Sequence, residues 1–209
     1  MRSKVLPSPK GNITDAKSFT YRARFLLVGT IGTHTPVAFA KEDPIKAGER
    51  ISNEVMSAPN PETAINGLSQ AERETFELYN TPSDVETIET ETLQAATMAN
   101  KYCRIDGVTF GQKAILGNTL YTWWQRVEIC GNPGVQIDDV RILEAGGETK
   151  TPTWSYDGNA NTPTAYATTG GQWTSRSSES FSQTRLNRRT ECVTATIVPS
   201  GEYRATSTC

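Results

Sequence analysis

The placement of four cysteines constrains the fold of this 209-residue chain more tightly than any other feature. Residues paired across a simple antiparallel hairpin are equidistant from its turn, and a slip of one residue sends a side chain to the other face. Cys103 and Cys130 are centred on Leu116-Gly117, beside the turn dipeptide Gly117-Asn118. Cys192 and Cys209 are centred on Ser200-Gly201, another turn signal. Of the three ways to pair four cysteines, these coincidences favour Cys103–Cys130 and Cys192–Cys209, each stapling one hairpin.

The segments around the cysteines read as strands. From Asp84 onward Val85, Ile88 and Leu93 stand among Thr and Glu, a β-favouring pattern. Longer strands are expected over 102–110, 119–130 and 135–143, the last ending at Gly146-Gly147. Shorter pieces recur at 153–156, 164–168, 173–178, 180–186, 191–198 and 203–208, separated by Gly, Asn, Pro and Ser clusters. The expected class is mainly β: an antiparallel β-sandwich over 83–209 preceded by a short helical and linker segment, 41–82. Within that segment Asn60-Pro61-Glu62 signals a helix start and Asn66-Gly67 a stop. Ser69 and Glu72 match a capping box opening a second helix, with Phe76 and Tyr79 on one side and an end before Pro82.

Residues 1–40 carry the parts of a secretory signal peptide. Arg22 and Arg24 precede the apolar run Phe25 to Ile31, and Ala38-Phe39-Ala40 supplies a cleavage site after Ala40. Gly29, Gly32 and Pro36 would interrupt a buried helix or strand here. The core is also too short and too broken by Thr30, Thr33, His34 and Thr35 to give a stable membrane span. Secretion agrees with the cysteines, which pair in oxidising compartments.

Cleavage would remove His34, the one histidine of the chain, and with it every Ser-His-Asp triad, Cys-His pair and His-bound zinc. No cofactor motif is present. The leader carries six basic residues and one acid, so removing it from 21 basic and 23 acidic residues leaves 15 and 22. A chain of that charge is no nucleic-acid binder, because such affinity comes from neutralising phosphates. Paired carboxylates are the remaining route to catalysis. Asp84, Glu86, Glu89 and Glu91 cluster on one strand and Asp138-Asp139 on another, but charge on an exposed strand face explains both.

Aromatic side chains point instead to binding. Trp123 and Trp124 are adjacent on one strand and so face opposite sides. Trp123 shares parity with Tyr121, Val127 and Ile129 and is expected in the core, leaving Trp124 on the other face. Trp124, Trp154, Tyr156 and Trp173 are the candidate binding residues, for a glycan or a surface protein. The competing expectation is that the N-terminal helices cover that second face. Asp157, Asn159 and Asn161 have the spacing of the first calcium ligands of a loop, without the glycine and distal glutamate that complete one. Arg185, Arg188 and Arg189 read as a solvated turn.

Further motifs are Leu68-Ser69-x-Ala71-Glu72 running to Phe76, Thr81-Pro82, and Tyr121-x-Trp123-x-Gln125-Arg126-Val127 between Cys103 and Cys130. Trp154-Ser155, Gly171-x-Trp173 and Cys192 continue the series. On these residues, over about Gly67 to Cys192, the chain resembles a group of uncharacterised exported β-rich proteins of actinobacteria. It departs from them at Arg104, where similar proteins often have Trp. The resemblance implies export and a β domain and carries no activity. The expected function is non-catalytic: a secreted, disulfide-containing binding or envelope-associated structural protein. The alternative is a histidine-free glycan hydrolase using paired carboxylates.

Overall fold

A computed structural model describes residues 42–94, 102–132, 135–183 and 187–209. They belong to one unit, Lys41–Cys209. Three helices come first: α1 (Pro44–Ser57), α2 (Pro61–Gly67) and α3 (Gln70–Asn80). Eight strands follow, β1 (Pro82–Gln94), β2 (Tyr102–Ala114), β3 (Thr119–Asn132) and β4 (Gln136–Thr149), then β5 (Trp154–Ala167), β6 (Trp173–Gln183), β7 (Asn187–Ile197) and β8 (Tyr203–Thr206). They form two antiparallel four-stranded sheets, β1-β2-β3-β4 and β5-β6-β7-β8. The fold is a β-sandwich with a helical N-terminal segment. No helix among the described residues is long and apolar enough to cross a membrane.

The helices start where their caps dictate. Asn60 accepts from the Thr63 amide, and Ser69 and Glu72 exchange both bonds of a capping box. Asp43 does the same service for α1, with Pro44 in the first turn, a start signal equal to that of Asn60-Pro61. Ile51, Val55 and Phe76 give the helices a small core of their own. Asn80, 2% exposed, ties that core to the sandwich. Its amide donates to Ser52 Oγ and to the Phe76 carbonyl, while its Oδ1 accepts from Thr153 and its carbonyl from Trp154 Nε1.

Cys103 and Cys130 are bonded and are direct cross-strand partners. The register they set holds from Tyr102 to Gln112 without a slip. Cys192 and Cys209 are also bonded, but the ladder here is offset by one residue from the simple hairpin. β8 ends at Thr206, so Cys209 reaches Cys192 from beyond the paired region. Gly117 and Gly201 close the two stapled hairpins at φ +89° each, a conformation that other residues rarely adopt.

Four of the expected short strands merge into two. The pieces at 153–156 and 164–168 are one strand, β5, broken by register shifts between Tyr156 and Thr164. Bulges absorb the Gly, Asn and Pro residues that read as a loop, and Pro163 is tolerated because β5 is an edge strand. The pieces at 173–178 and 180–186 are one strand, β6, whose described part ends at Gln183. β4 runs through Gly146-Gly147 to Thr149 rather than stopping there.

Between the sheets lie two apolar clusters. The larger holds Val108, Phe110, Leu120, Tyr121, Trp123, Trp154, Phe181 and Val193. Tyr121 stacks on Phe181 with ring centroids 4.2 Å apart and meets Trp154 at 4.8 Å. Trp123 is fully buried, and its indole donates to the Cys192 carbonyl at 3.0 Å, bonding one sheet to the other. Val127, Ile129, Val140 and Ile197 make the second cluster.

Candidate functional site

Strand alternation places Trp124 on the outer face of the first sheet, opposite to Trp123. Its cross-strand neighbours are Thr109 on β2 and Gly146 on β4. A Cβ on Gly146 would stand 3.0 Å from the indole, so the missing side chain lets the ring lie close over β4. The indole N–H donates to Glu144 Oε1 at 3.0 Å, and Glu144 in turn binds Arg126. Arg126 reaches across Gly107 to Glu91 on the far strand. A chain of charge thus fixes the ring's orientation.

Trp124 lines an open cleft of about 590 Å³. Thr109, Thr119 and Thr122 supply hydroxyls, Ile88 an apolar patch, and the Glu148–Lys150 ion pair one flank. The helices form a wall: Glu49 comes from α1 and Tyr79 from α3, while Asn118 bonds the Tyr79 carbonyl at 3.1 Å. The helices flank this face of the sheet at Trp124 and leave the ring half-buried. A half-buried aromatic ring among hydroxyls, one amide and an ion pair is chemistry suited to a polar ligand with a flat apolar side.

The other aromatic candidates lie elsewhere. Trp154 is a core residue, 3% exposed. Tyr156 is half-buried and faces Phe181 inside the sandwich. Trp173 packs on the second cluster and donates to the Ile137 carbonyl at 3.4 Å. The structure therefore brings none of the three to Trp124.

The calcium-like residues sit in bulged β5 and each has a separate partner. Asp157 accepts from Ser182, Asn159 from Tyr156, and Asn161 donates to Ser178. Among the described residues no group of three or more His, Cys, Asp or Glu side chains is placed to hold a metal. Asp84, Glu86 and Glu89 are exposed on β1, an edge strand, and Asp138 and Asp139 are exposed on β4. Arg185 lies outside the described residues; Arg188 donates to Ser180 Oγ at 2.7 Å.

The sequence reading missed the paired acids that the fold does make. Glu179 on β6 and Glu191 on β7 are direct cross-strand partners and both face inward. Tyr156 donates to Glu179 at 2.6 Å and Tyr121 donates to Glu191 at 2.8 Å. Burial raises both carboxyls above the usual glutamate range, against the pull of their tyrosines and, for Glu191, of Arg189. Burial and the facing carboxylates likewise raise both phenols. The Tyr156 hydroxyl also lies 3.0 Å from Asn159 Oδ1, yet it has one hydrogen for two acceptors.

Side chains opposite each other in a ladder are about 4.5–5.5 Å apart, near the separation that retaining glycosidases use. Glu179, however, is 0% exposed, so a glycan would reach it only by parting the sheets. The pair belongs to the interior.

The class defined by these features is a two-sheet antiparallel sandwich, stapled at two hairpins, with a Trp-lined cleft between one sheet face and its helices. The chain matches no protein-family model, no curated protein and no solved structure.

Proposed function

We propose that this is an exported, non-catalytic binding protein that holds a glycan in the Trp124 cleft; the actinobacterial resemblance supports the export and the β domain alone. The observation that carries this reading is the oriented, half-buried Trp124 ring in a cleft lined by the Thr109, Thr119 and Thr122 hydroxyls. Sugar rings pair apolar faces with a rim of donors and acceptors, and this lining offers both. Export is supported by the two disulfides and by a compact unit that begins at Lys41, directly after the Ala38-Phe39-Ala40 motif.

A glycan array combined with a turnover screen tests the binding reading. Saturable binding that is lost in Trp124→Ala, without product, supports it. Release of reducing ends would support the hydrolase alternative instead. N-terminal sequencing of protein recovered from culture supernatant tests export: the expected first residue is Lys41, and an intact leader on cytosolic protein would contradict it.

A further inference from the structure

The inward face of the first sheet holds a second cleft, at the open side of the sandwich. β1 has 13 residues, whereas β8 at the edge of the facing sheet has 4. Thr87, Thr90 and Thr92 on β1 pair with Phe110, Val108 and Asp106, so they share the inward face with these core positions. They are nevertheless exposed, because the facing sheet stops short of covering them. With Arg104, Asp106 and Tyr203 they line a cleft of about 430 Å³.

The cleft has a built floor. Arg104 donates through Nε and Nη2 to Asp106 Oδ2, at 2.9 and 2.8 Å, which fixes the guanidinium. Its Nη1 passes 3.1 Å from where a Cβ on Gly201 would stand, so Gly201 is what makes room for it. Asp106 is 2% exposed, and its Oδ1 is buried without a hydrogen-bond partner. The Tyr203 hydroxyl is buried and unpartnered as well. Native folds leave few such atoms unsatisfied, and two against one cleft mark groups the fold itself does not use.

Charge decides the ligand class. Asp106 is paired with Arg104, Glu91 with Arg126, and Glu202 with Arg204, so the lining carries no unmatched charge for an anion or a cation to answer. What it offers is threonine hydroxyls that both donate and accept and one fixed guanidinium, above a buried carboxylate oxygen and phenol that have no partner of their own. The geometry points to a second ligand site here for a neutral polyhydroxylated ligand, a sugar ring or short oligosaccharide. This site lies across the sheet from Trp124 and does not depend on that cleft.

The test is calorimetric titration of the full chain carrying Trp124→Ala, which removes the outer-face aromatic and isolates this site. Cellotetraose, maltotetraose and mannotetraose are the neutral probes, with tetragalacturonate as the charged control. Saturable binding of a neutral tetrasaccharide is expected on this background. Adding Thr90→Val and Thr92→Val, isosteric changes on an exposed strand, should weaken it about tenfold or more. Arg104→Ala should weaken it similarly. No saturable binding of any neutral probe at millimolar concentration would overturn the proposal. So would binding undiminished by the two valines, or a preference for the uronate. Loss of binding in Trp124→Ala alone, with the valines silent in the parent chain, would leave the outer cleft as the site and refute this one.

Discussion

Glu179 and Glu191 stand directly opposite each other on β6 and β7, both pointing into the sandwich and each held by a tyrosine from another strand. Like charges directly opposite in a ladder are destabilising, and burial adds a desolvation cost to each. The fold relieves this asymmetrically. Glu191 keeps Arg189 nearby, whereas Glu179 has no cation beside it among the described residues and leaves Oε1 without a hydrogen-bond partner there. Burial therefore raises the Glu179 carboxyl with only its tyrosine to oppose it, whereas Glu191 has a tyrosine and an arginine.

A pH dependence follows. The folded pKa of Glu179 lies above its unfolded value, so between the two the folded chain binds more protons than the unfolded one. Its contribution to stability is complete below the usual glutamate range and is lost as pH rises through the folded value. Glu179→Gln removes the titration. The variant should match the parent near about pH 4 and melt higher than it at neutral pH. Denaturant melts of both across that range check this; two parallel stability curves would contradict it.

Asn80 is the joint between helices and sandwich. Its side chain and carbonyl serve Ser52 on α1 and Thr153 and Trp154 at the start of β5. Asn80→Ala strands the Ser52 and Thr153 hydroxyls in buried positions, and each stranded group costs about 1–3 kcal/mol. The expected loss is about 2–6 kcal/mol. Hydrogen exchange should show α1 and α3 losing protection ahead of β3. Uniform loss of protection through the whole chain would mean that Asn80 is not a joint.

The parts of the fold that sequence revealed are those governed by local rules or strict alternation. The Ser69–Glu72 box, the Cys103–Cys130 register and the burial of Trp123 each follow from the spacing of a few residues. β5 escaped because bulges let Gly158, Asn161 and Pro163 remain in a strand. α1 escaped although Asp43-Pro44 carries the same start signal as Asn60-Pro61. The acid pair was illegible for another reason. Ser175, Ser177 and Glu179 alternate like a solvent-facing row, yet they form the inward face of β6. Only the neighbours supplied by other strands, Gln125 at Ser175 and Tyr156 at Glu179, make that polar row an interior one.

The two disulfides should differ in what their loss does. Cys103–Cys130 lies within a continuous ladder between two central strands, so Cys103→Ser with Cys130→Ser removes a constraint the ladder already enforces. Cys192–Cys209 holds residues beyond the end of a four-residue strand. Each closed loop is worth about 3 kcal/mol in the chain-entropy account. Removing Cys192–Cys209 should also free β8, exposing the amides of 203–206 to exchange while β2 and β3 stay protected. Equal protection of β8 in both double variants would refute the distinction.

Trp123 and Trp124 give the sharpest separation of stability from binding. Trp123 is fully buried, contacts Phe110 and Tyr121, and bonds the Cys192 carbonyl across the sandwich. Trp123→Ala should cost about 3–5 kcal/mol, the range for large aromatic truncations in a core. Trp124 is half-buried and its removal opens no interior cavity. Trp124→Ala breaks the Glu144 bond and should cost about 1 kcal/mol, the usual worth of one such contact, while abolishing glycan binding at the outer cleft. Gly146→Val provides a check that keeps the indole: a side chain there meets the ring within contact distance and forces it off β4. It should weaken binding with Trp124 still present. Large and equal stability losses for both tryptophan variants would mean that Trp124 is a packing residue, and the cleft would lose its claim as a binding site.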